Sequence, residues 1–173
     1  MKKISFITII VFVSIAIFIF FSSLKIDRIY DTKEMVGKPI SEIDLDLFHE
    51  KKIFNTSELS KNQFTLINFF SSWCGPCRKE HKHLIELSKK KNIKILGINF
   101  KDEKTKANEF LNKLGNPYYL IASDQTGKVS INFGVYGIPE TILINNDLII
   151  IKKYIGPINQ NDVKAILQLT RSQ

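Results

Sequence analysis

Apolar and polar positions change their period several times along the chain. From Ile4 to Leu24 there is no polar period: the run is uncharged and almost wholly apolar. It is about 21 residues, roughly 31 Å as a helix, which matches a hydrocarbon core of about 30 Å. Lys25 to Val36 is then a short charged stalk. Gly37-Lys38-Pro39 marks a turn, and Ile43, Leu45 and Leu47 alternate with Asp44 and Asp46 as in a half-buried strand. Asn55-Thr56-Ser57-Glu58 supplies capping residues before Leu59, enough for one short turn. Phe64 to Phe70 is a continuous apolar run that predicts a buried strand. Lys79 to Lys91 predicts a helix carrying Leu84, Ile85 and Leu87 and ended by Asn92. Ile93 to Phe100 predicts a second buried strand.

The second half continues with a charged helix over Lys101 to Leu114, with Ala107, Phe110, Leu111 and Leu114 at helical spacing, stopped by Gly115-Asn116-Pro117. Tyr118 to Ala122 reads as a short strand, and Asp124 to Phe133 as a turn and a brief helix. Thr141 to Ile144 and Leu148 to Tyr154 form a hairpin about Asn145-Asn146-Asp147. Asn159 caps a last helix bearing Val163, Ile166, Leu167 and Leu169. A βαβ half followed by a ββα half predicts an α/β fold with a central mixed sheet flanked by helices, its βαβ crossover right-handed.

At 173 residues the chain has room for one buried domain and a short extra segment. The predicted organisation is an anchor over 1–24, a stalk over 25–36 and a domain over 37–173. The net charge of +8 reads as a lysine-rich solvated surface, and no arginine-rich tract or basic-aromatic stripe points to nucleic acid. A cleaved signal peptide has a shorter apolar region and a small-residue cleavage site, for which Ser22-Ser23 is a weak candidate. The run therefore reads as an uncleaved transmembrane helix, with a signal peptide as the alternative. Lys2 and Lys3 keep the N-terminus cytoplasmic, although Lys25 and Arg28 reduce the charge asymmetry. The domain then lies outside, where disulfide chemistry is possible.

The two cysteines, Cys74 and Cys77, stand three apart between the predicted central strand and its helix. A Cys-x-x-Cys there is a redox dithiol arrangement. Cys74 falls at the helix N-terminus, where free N–H groups and the helix dipole favour a thiolate. Pro76 suits the first turn because its missing N–H has no helical partner there. Cys77, one turn on, can resolve a mixed disulfide. The other readings are a structural disulfide and half of a zinc site. A loop this short is a poor entropic staple, and His49, His81 and His83 lack zinc-finger spacing. No metal or other cofactor is expected.

Trp73-Cys74-Gly75-Pro76-Cys77 and the later Ile138-Pro139 resemble the thioredoxin superfamily. Gly134-Val135-Tyr136-Gly137-Ile138-Pro139-Glu140-Thr141 is more specifically similar to the membrane-tethered cytochrome c maturation thioredoxins, the DsbE/CcmG family. Cys77-Arg78-Lys79-Glu80-His81, Asn99-Phe100-Lys101-Asp102, Leu114-Gly115-Asn116-Pro117-Tyr118 and Gly37-Lys38-Pro39 extend that likeness over roughly residues 35 to 170. The resemblance implies a thioredoxin fold, with Cys74 and Cys77 catalytic and Trp73, Pro76, Ile138 and Pro139 in support. It implies that Pro139 is a cis proline facing the dithiol, and that Glu80 and Glu140 form an acidic groove beside the thiols. For Glu80 the helical pattern alone gives a solvated residue instead, and for Tyr136 either a groove or a core position. His81 and His83 read as surface residues.

Two departures qualify the likeness. Asn68 stands where general thioredoxins carry a buried aspartate, and the Gly-Pro pair between the cysteines is the general thioredoxin one. The implied function is reduction of the Cys-x-x-Cys-His disulfide of apocytochrome c, directly or through a maturation protein, by a domain on the periplasmic side of the inner membrane. The implied partners are apocytochrome c, maturation proteins, a membrane thiol-disulfide electron donor and, through residues 4–24, the membrane itself. A general envelope thiol oxidant or reductase, and a non-catalytic apocytochrome-binding module, are the rival readings.

Overall fold

The computed structural model describes the backbone of residues 2–24 and 35–171 and the side chains of 7–22 and 35–171. It separates into two units, Met1–Asp31 and Thr32–Gln173. In the first, α1 (Lys2–Leu24) is one continuous helix. Its large apolar side chains from Ile7 to Phe21 stand exposed. Among the described residues, which cover roughly 24 Å of this helix with side chains, no helix is long and apolar enough to cross a membrane. The predicted stalk lies outside the described residues except for Met35 and Val36.

The second unit is built on β3 (Phe64–Phe70), in which all seven residues are buried. It is flanked by β4 (Ile93–Phe100), parallel, and β6 (Glu140–Asn145), antiparallel. With β5 (Leu120–Asp124) beyond β4 and β7 (Ile150–Ile155) beyond β6, the order is β5-β4-β3-β6-β7. The sheet is mixed, as predicted. A strand buried on both faces needs apolar residues at consecutive positions, which is why Phe64–Phe70 shows no alternation. One face packs Phe64, Leu66 and Phe70 under α2 (Gly75–Ser88) and α5 (Gln160–Leu169); the other packs Ile67 and Phe69 against Leu96, Ile98, Phe133, Ile142 and Ile144. Asn68 shares the first face and is fully buried.

The remaining elements frame this sheet. β1 (Asp44–Asp46) pairs antiparallel with β2 (Ile53–Asn55), a strand the sequence reading lacks. A 3-10 helix over Thr56–Lys61 follows, capped by Asn55 Oδ1 from Ser57 N–H at 2.9 Å. α3 spans Lys104–Leu114 and α4 spans Lys128–Asn132. Asn159 closes a capping box with Asp162 at α5, as expected. Several boundaries move. α2 stops at Ser88, short of Asn92, with Lys89 as its C-cap and residues 89–91 adding nothing to its buried stripe. α3 starts three residues late because Lys101 takes φ of 41°, outside the helical region. β7 starts at Ile150 because Leu148, at φ 62°, is still in the turn.

Gly97 marks the tightest packing in the sheet. A Cβ there would lie 2.9 Å from the Tyr118 ring and 3.0 Å from Phe70 Cε1. Those rings stack at 4.6 Å. We predict that Gly97→Ala destabilises the fold by about 1–3 kcal/mol through overpacking. Urea unfolding measures this, and a change within about 0.5 kcal/mol would show that the rings give way freely.

Candidate active site

Where β3 leaves the sheet, Ser71 and Ser72 are still buried and both hydroxyls are engaged. Ser71 Oγ donates to the Phe100 carbonyl. Ser72 donates its N–H and hydroxyl to the two Asp102 oxygens, at 2.6 and 2.7 Å, and Asn99 Nδ2 donates to the same carboxylate at 3.0 Å. Asp102 thus ties the start of the dithiol segment to the end of β4. Its place two residues past that strand is visible in the sequence; its role is not. Trp73 donates its indole N–H to the Lys101 carbonyl at 3.1 Å and keeps 59% of its surface exposed. Arg78 reaches back to the Ser72 carbonyl at 2.7 Å and lies over the Phe110 ring.

Cys74 is the N-cap of α2, as predicted, with Cys77 N–H donating to its Sγ at 3.2 Å. The two cysteines are joined in a disulfide. Pro76 occupies the first turn of α2. Cys74 is 4% exposed and Cys77 1%. Both residues are buried, Cys74 slightly the less so, and Cys74 holds the helix N-terminal position where a thiolate gains most.

The Ile138–Pro139 peptide bond is cis, and Ile138 packs against the core cluster that contains both cysteines. Beside this loop lies a groove of about 260 Å³ lined by Phe100, Lys101, Gly127, Ile131, Tyr136 and Ile138. Ile131 and Tyr136 are 72% and 77% exposed, so Tyr136 belongs to the groove, not the core. The groove shares Lys101 with the Trp73 contact and Ile138 with the dithiol cluster. The arrangement can bring an extended disulfide-bearing segment to Cys74.

The carboxylates are placed otherwise than a groove lining requires. Glu80 is 1% exposed, on the buried stripe of α2 with Cys77, His81, Leu84 and Leu87. Its Oε1 accepts from Asn68 Nδ2 and its Oε2 from Ile158 N–H, both at 2.8 Å. Asn68 also donates to Thr141 Oγ1 at 2.9 Å and accepts from the Tyr118 hydroxyl at 2.8 Å. Burial pushes the Glu80 carboxyl up to about 7, while the Ile158 and Asn68 bonds hold it down. The Tyr118 hydroxyl is raised well above its ordinary range by burial and by the Glu80 charge. Glu80 is thus neither a solvated residue nor an exposed acid. It is a buried, hydrogen-bonded carboxyl one helical turn from Cys77.

Glu140 is 3% exposed and is also buried, against the loop it follows. Its Oε1 accepts from Tyr136 N–H at 3.1 Å and Gly137 N–H at 3.2 Å; its Oε2 lies 2.8 Å from Lys153 Nζ. His81 corrects a further expectation. It is buried, with Nε2 2.8 Å from the Gly115 carbonyl and its ring edge-on to Phe110; burial holds its pKa below the ordinary value. His83 is half-buried. Among the described residues no three acidic, histidine or cysteine side chains converge to hold a metal.

Residues 35–169 match the family model described as Redoxin. The chain is 41% identical over 141 residues to the thiol:disulfide interchange protein CycY of Rhizobium leguminosarum bv. viciae, covering 75% of either chain. It is 38% identical over 134 residues to the thiol:disulfide interchange protein DsbE of Vibrio cholerae, covering 77% of this chain and 72% of that one. The crystal structure of a thioredoxin-family thiol:disulfide interchange protein from Chlorobium tepidum matches with a TM-score of 0.65 at 20% identity. It covers 78% of this chain and 96% of the other, and bears on the fold alone.

Proposed function

Because the chain belongs to the redoxin family, among its DsbE-type thiol:disulfide interchange proteins, we propose that its dithiol reduces the Cys-x-x-Cys-His disulfide of apocytochrome c before haem attachment. It does so directly or through a maturation protein. The observation that carries the reading is the position of Cys74 as N-cap of α2, with the Cys77 N–H on its sulfur. The cis Ile138–Pro139 loop, packed against the cluster that holds both cysteines, supports it.

In the reduced protein the Cys74 thiolate attacks one sulfur of the partner disulfide. A Cys74–partner disulfide forms and the partner's other sulfur leaves as a thiolate, which takes up a proton. Cys77 then loses its proton and attacks Cys74 Sγ, closing the Cys74–Cys77 disulfide and releasing the partner's second thiolate. The partner gains two electrons and this chain loses two. Glu80 is the buried group able to take the Cys77 proton near neutral pH. A membrane thiol-disulfide donor returns the electrons. Trp73 and Tyr136 offer aromatic surface to the incoming segment. Proline at 139 leaves a backbone position without N–H next to the docking strand.

We place residues 4–24 across the inner membrane as a single-pass anchor with the domain on the periplasmic side. The uncharged apolar run, its exposed side chains and the preceding Lys2 and Lys3 support this. Mixing the reduced protein with an oxidised Cys-x-x-Cys-His peptide tests the proposed reaction: stoichiometric conversion of the peptide to its dithiol is expected. A peptide left oxidised while this chain stays reduced would overturn the reductase reading.

A further inference from the structure

The loop Gly134–Pro139 is clamped from within by two buried side chains of opposite charge. Glu140, at the start of β6, receives the N–H groups of Tyr136 and Gly137 on one oxygen and faces Lys153 Nζ at 2.8 Å with the other. Lys153, on β7, also donates to the Gly134 carbonyl. Their side chains are 3% and 0% exposed. Ile142 is the registered partner of Lys153, so Glu140 is its diagonal neighbour across the β6–β7 pair.

Burying such a pair is costly, and apolar residues of similar volume commonly replace one without loss of stability. What apolar residues could not do here is hold the loop at two points. The cation fixes the carbonyl at its start, and the anion fixes two N–H groups in its middle. Tyr136, 77% exposed on the groove, and Ile138, at the cis bond, are carried on that fixed backbone.

We propose that Lys153 is a positioning residue for protein disulfides, acting through Glu140 and the 134–139 loop to shape the ledge on which the partner segment docks. The inference rests on the reductase reading above and extends it to a residue far along the chain from the dithiol. Lys153 touches no reacting atom, so its effect falls on docking and not on sulfur exchange.

The test is a single-turnover experiment with the full chain in detergent micelles. Pre-reduced protein is mixed with excess oxidised Cys-x-x-Cys-His peptide. Closure of the dithiol is read from the fluorescence of Trp73, the one tryptophan of the chain. For Lys153→Met the half-saturating peptide concentration should rise about tenfold, a loss of one strong docking contact, with the limiting rate moving less than about twofold. Lys153→Arg, which keeps the charge, should recover most of the loss. A fall in limiting rate at unchanged half-saturation, or an arginine variant as impaired as the methionine one, overturns the proposal. If Lys153→Met does not fold, the double variant Glu140→Gln, Lys153→Met carries the test, since it leaves no buried charge unpaired. Its half-saturation should also rise, and an unchanged value overturns the proposal. A wild type that reacts beside variants that bind equally well defeats this inference alone. A wild type that does not react with the peptide defeats the reductase reading and this inference with it.

Discussion

Replacing Cys74 with serine should lower the rate of peptide disulfide reduction by on the order of a thousandfold or more, the scale on which loss of a covalent nucleophile acts. Cys77→Ser should behave differently. Its first exchange step remains, because Cys74 keeps its N-cap position. With no resolving thiol the reaction stops at the mixed disulfide. A stable adduct, seen as a mass increase equal to the peptide and removed by excess dithiothreitol, should form with Cys77→Ser and not with Cys74→Ser. The asymmetry follows from the structure: Cys74 receives the Cys77 N–H and is the more exposed of the two. An adduct that forms on Cys77 in the Cys74→Ser variant, and not the reverse, would invert the assignment of roles.

The second large effect concerns stability and pH. Glu80 is nearly fully buried and its carboxyl is raised from an ordinary 4.5 to about 7 by burial. A raised carboxyl means the folded state binds a proton more tightly than the unfolded chain. Stability is therefore fully present below about pH 4.5 and falls as pH rises to about 7. At 1.36 kcal/mol per unit, the loss over that window is about 3 kcal/mol. Glu80→Gln removes the titration while keeping the shape. The Asn68 amide can turn to present its oxygen to the new NH₂ group, with the Tyr118 and Thr141 hydroxyls exchanging donor and acceptor roles. Urea unfolding of wild type and variant is best done with the Cys74–Cys77 disulfide closed, so that no thiol titrates. The variant should gain about 3 kcal/mol relative to wild type between pH 4 and pH 8. Parallel pH profiles would show that Glu80 does not titrate in this window.

The sequence was most legible where burial is complete. β3 and β4 were predicted to the residue, because strands covered on both faces carry uninterrupted apolar runs bounded by polar residues. β2 was not, since Ile53-Phe54-Asn55 buries only Phe54 and leaves Ile53 61% exposed, too little pattern to register. In α2 the spacing of Cys77, Glu80, His81, Leu84 and Leu87 is that of a buried helical stripe. Leu84 and Leu87 read as apolar, whereas Glu80 and His81 are ionisable, so by pattern alone those two positions read as solvated. The cysteines and the cis proline were marked by motif. The partners that hold them were not, because Asp102 with Ser72, Glu80 with Asn68 and Glu140 with Lys153 meet across 30, 12 and 13 positions. Only the tertiary fold brings such pairs together, and an exposed lysine and a buried one look alike in a sequence.

The direction of electron flow is the claim on which the proposed function stands. General oxidants keep a disulfide poised near −120 mV, whereas thioredoxin, with the same Gly-Pro pair between its cysteines, lies near −270 mV. On the proposed function the dithiol should be held reduced by a membrane donor, ready to act on partner disulfides. Quenching living cells in acid, labelling free thiols with a mass tag and resolving the protein on a gel reads this state directly. A band shifted by two tags in cells with an intact donor pathway is the predicted result. An unshifted band, with Cys74 and Cys77 joined, would contradict the reductant reading and favour an oxidant.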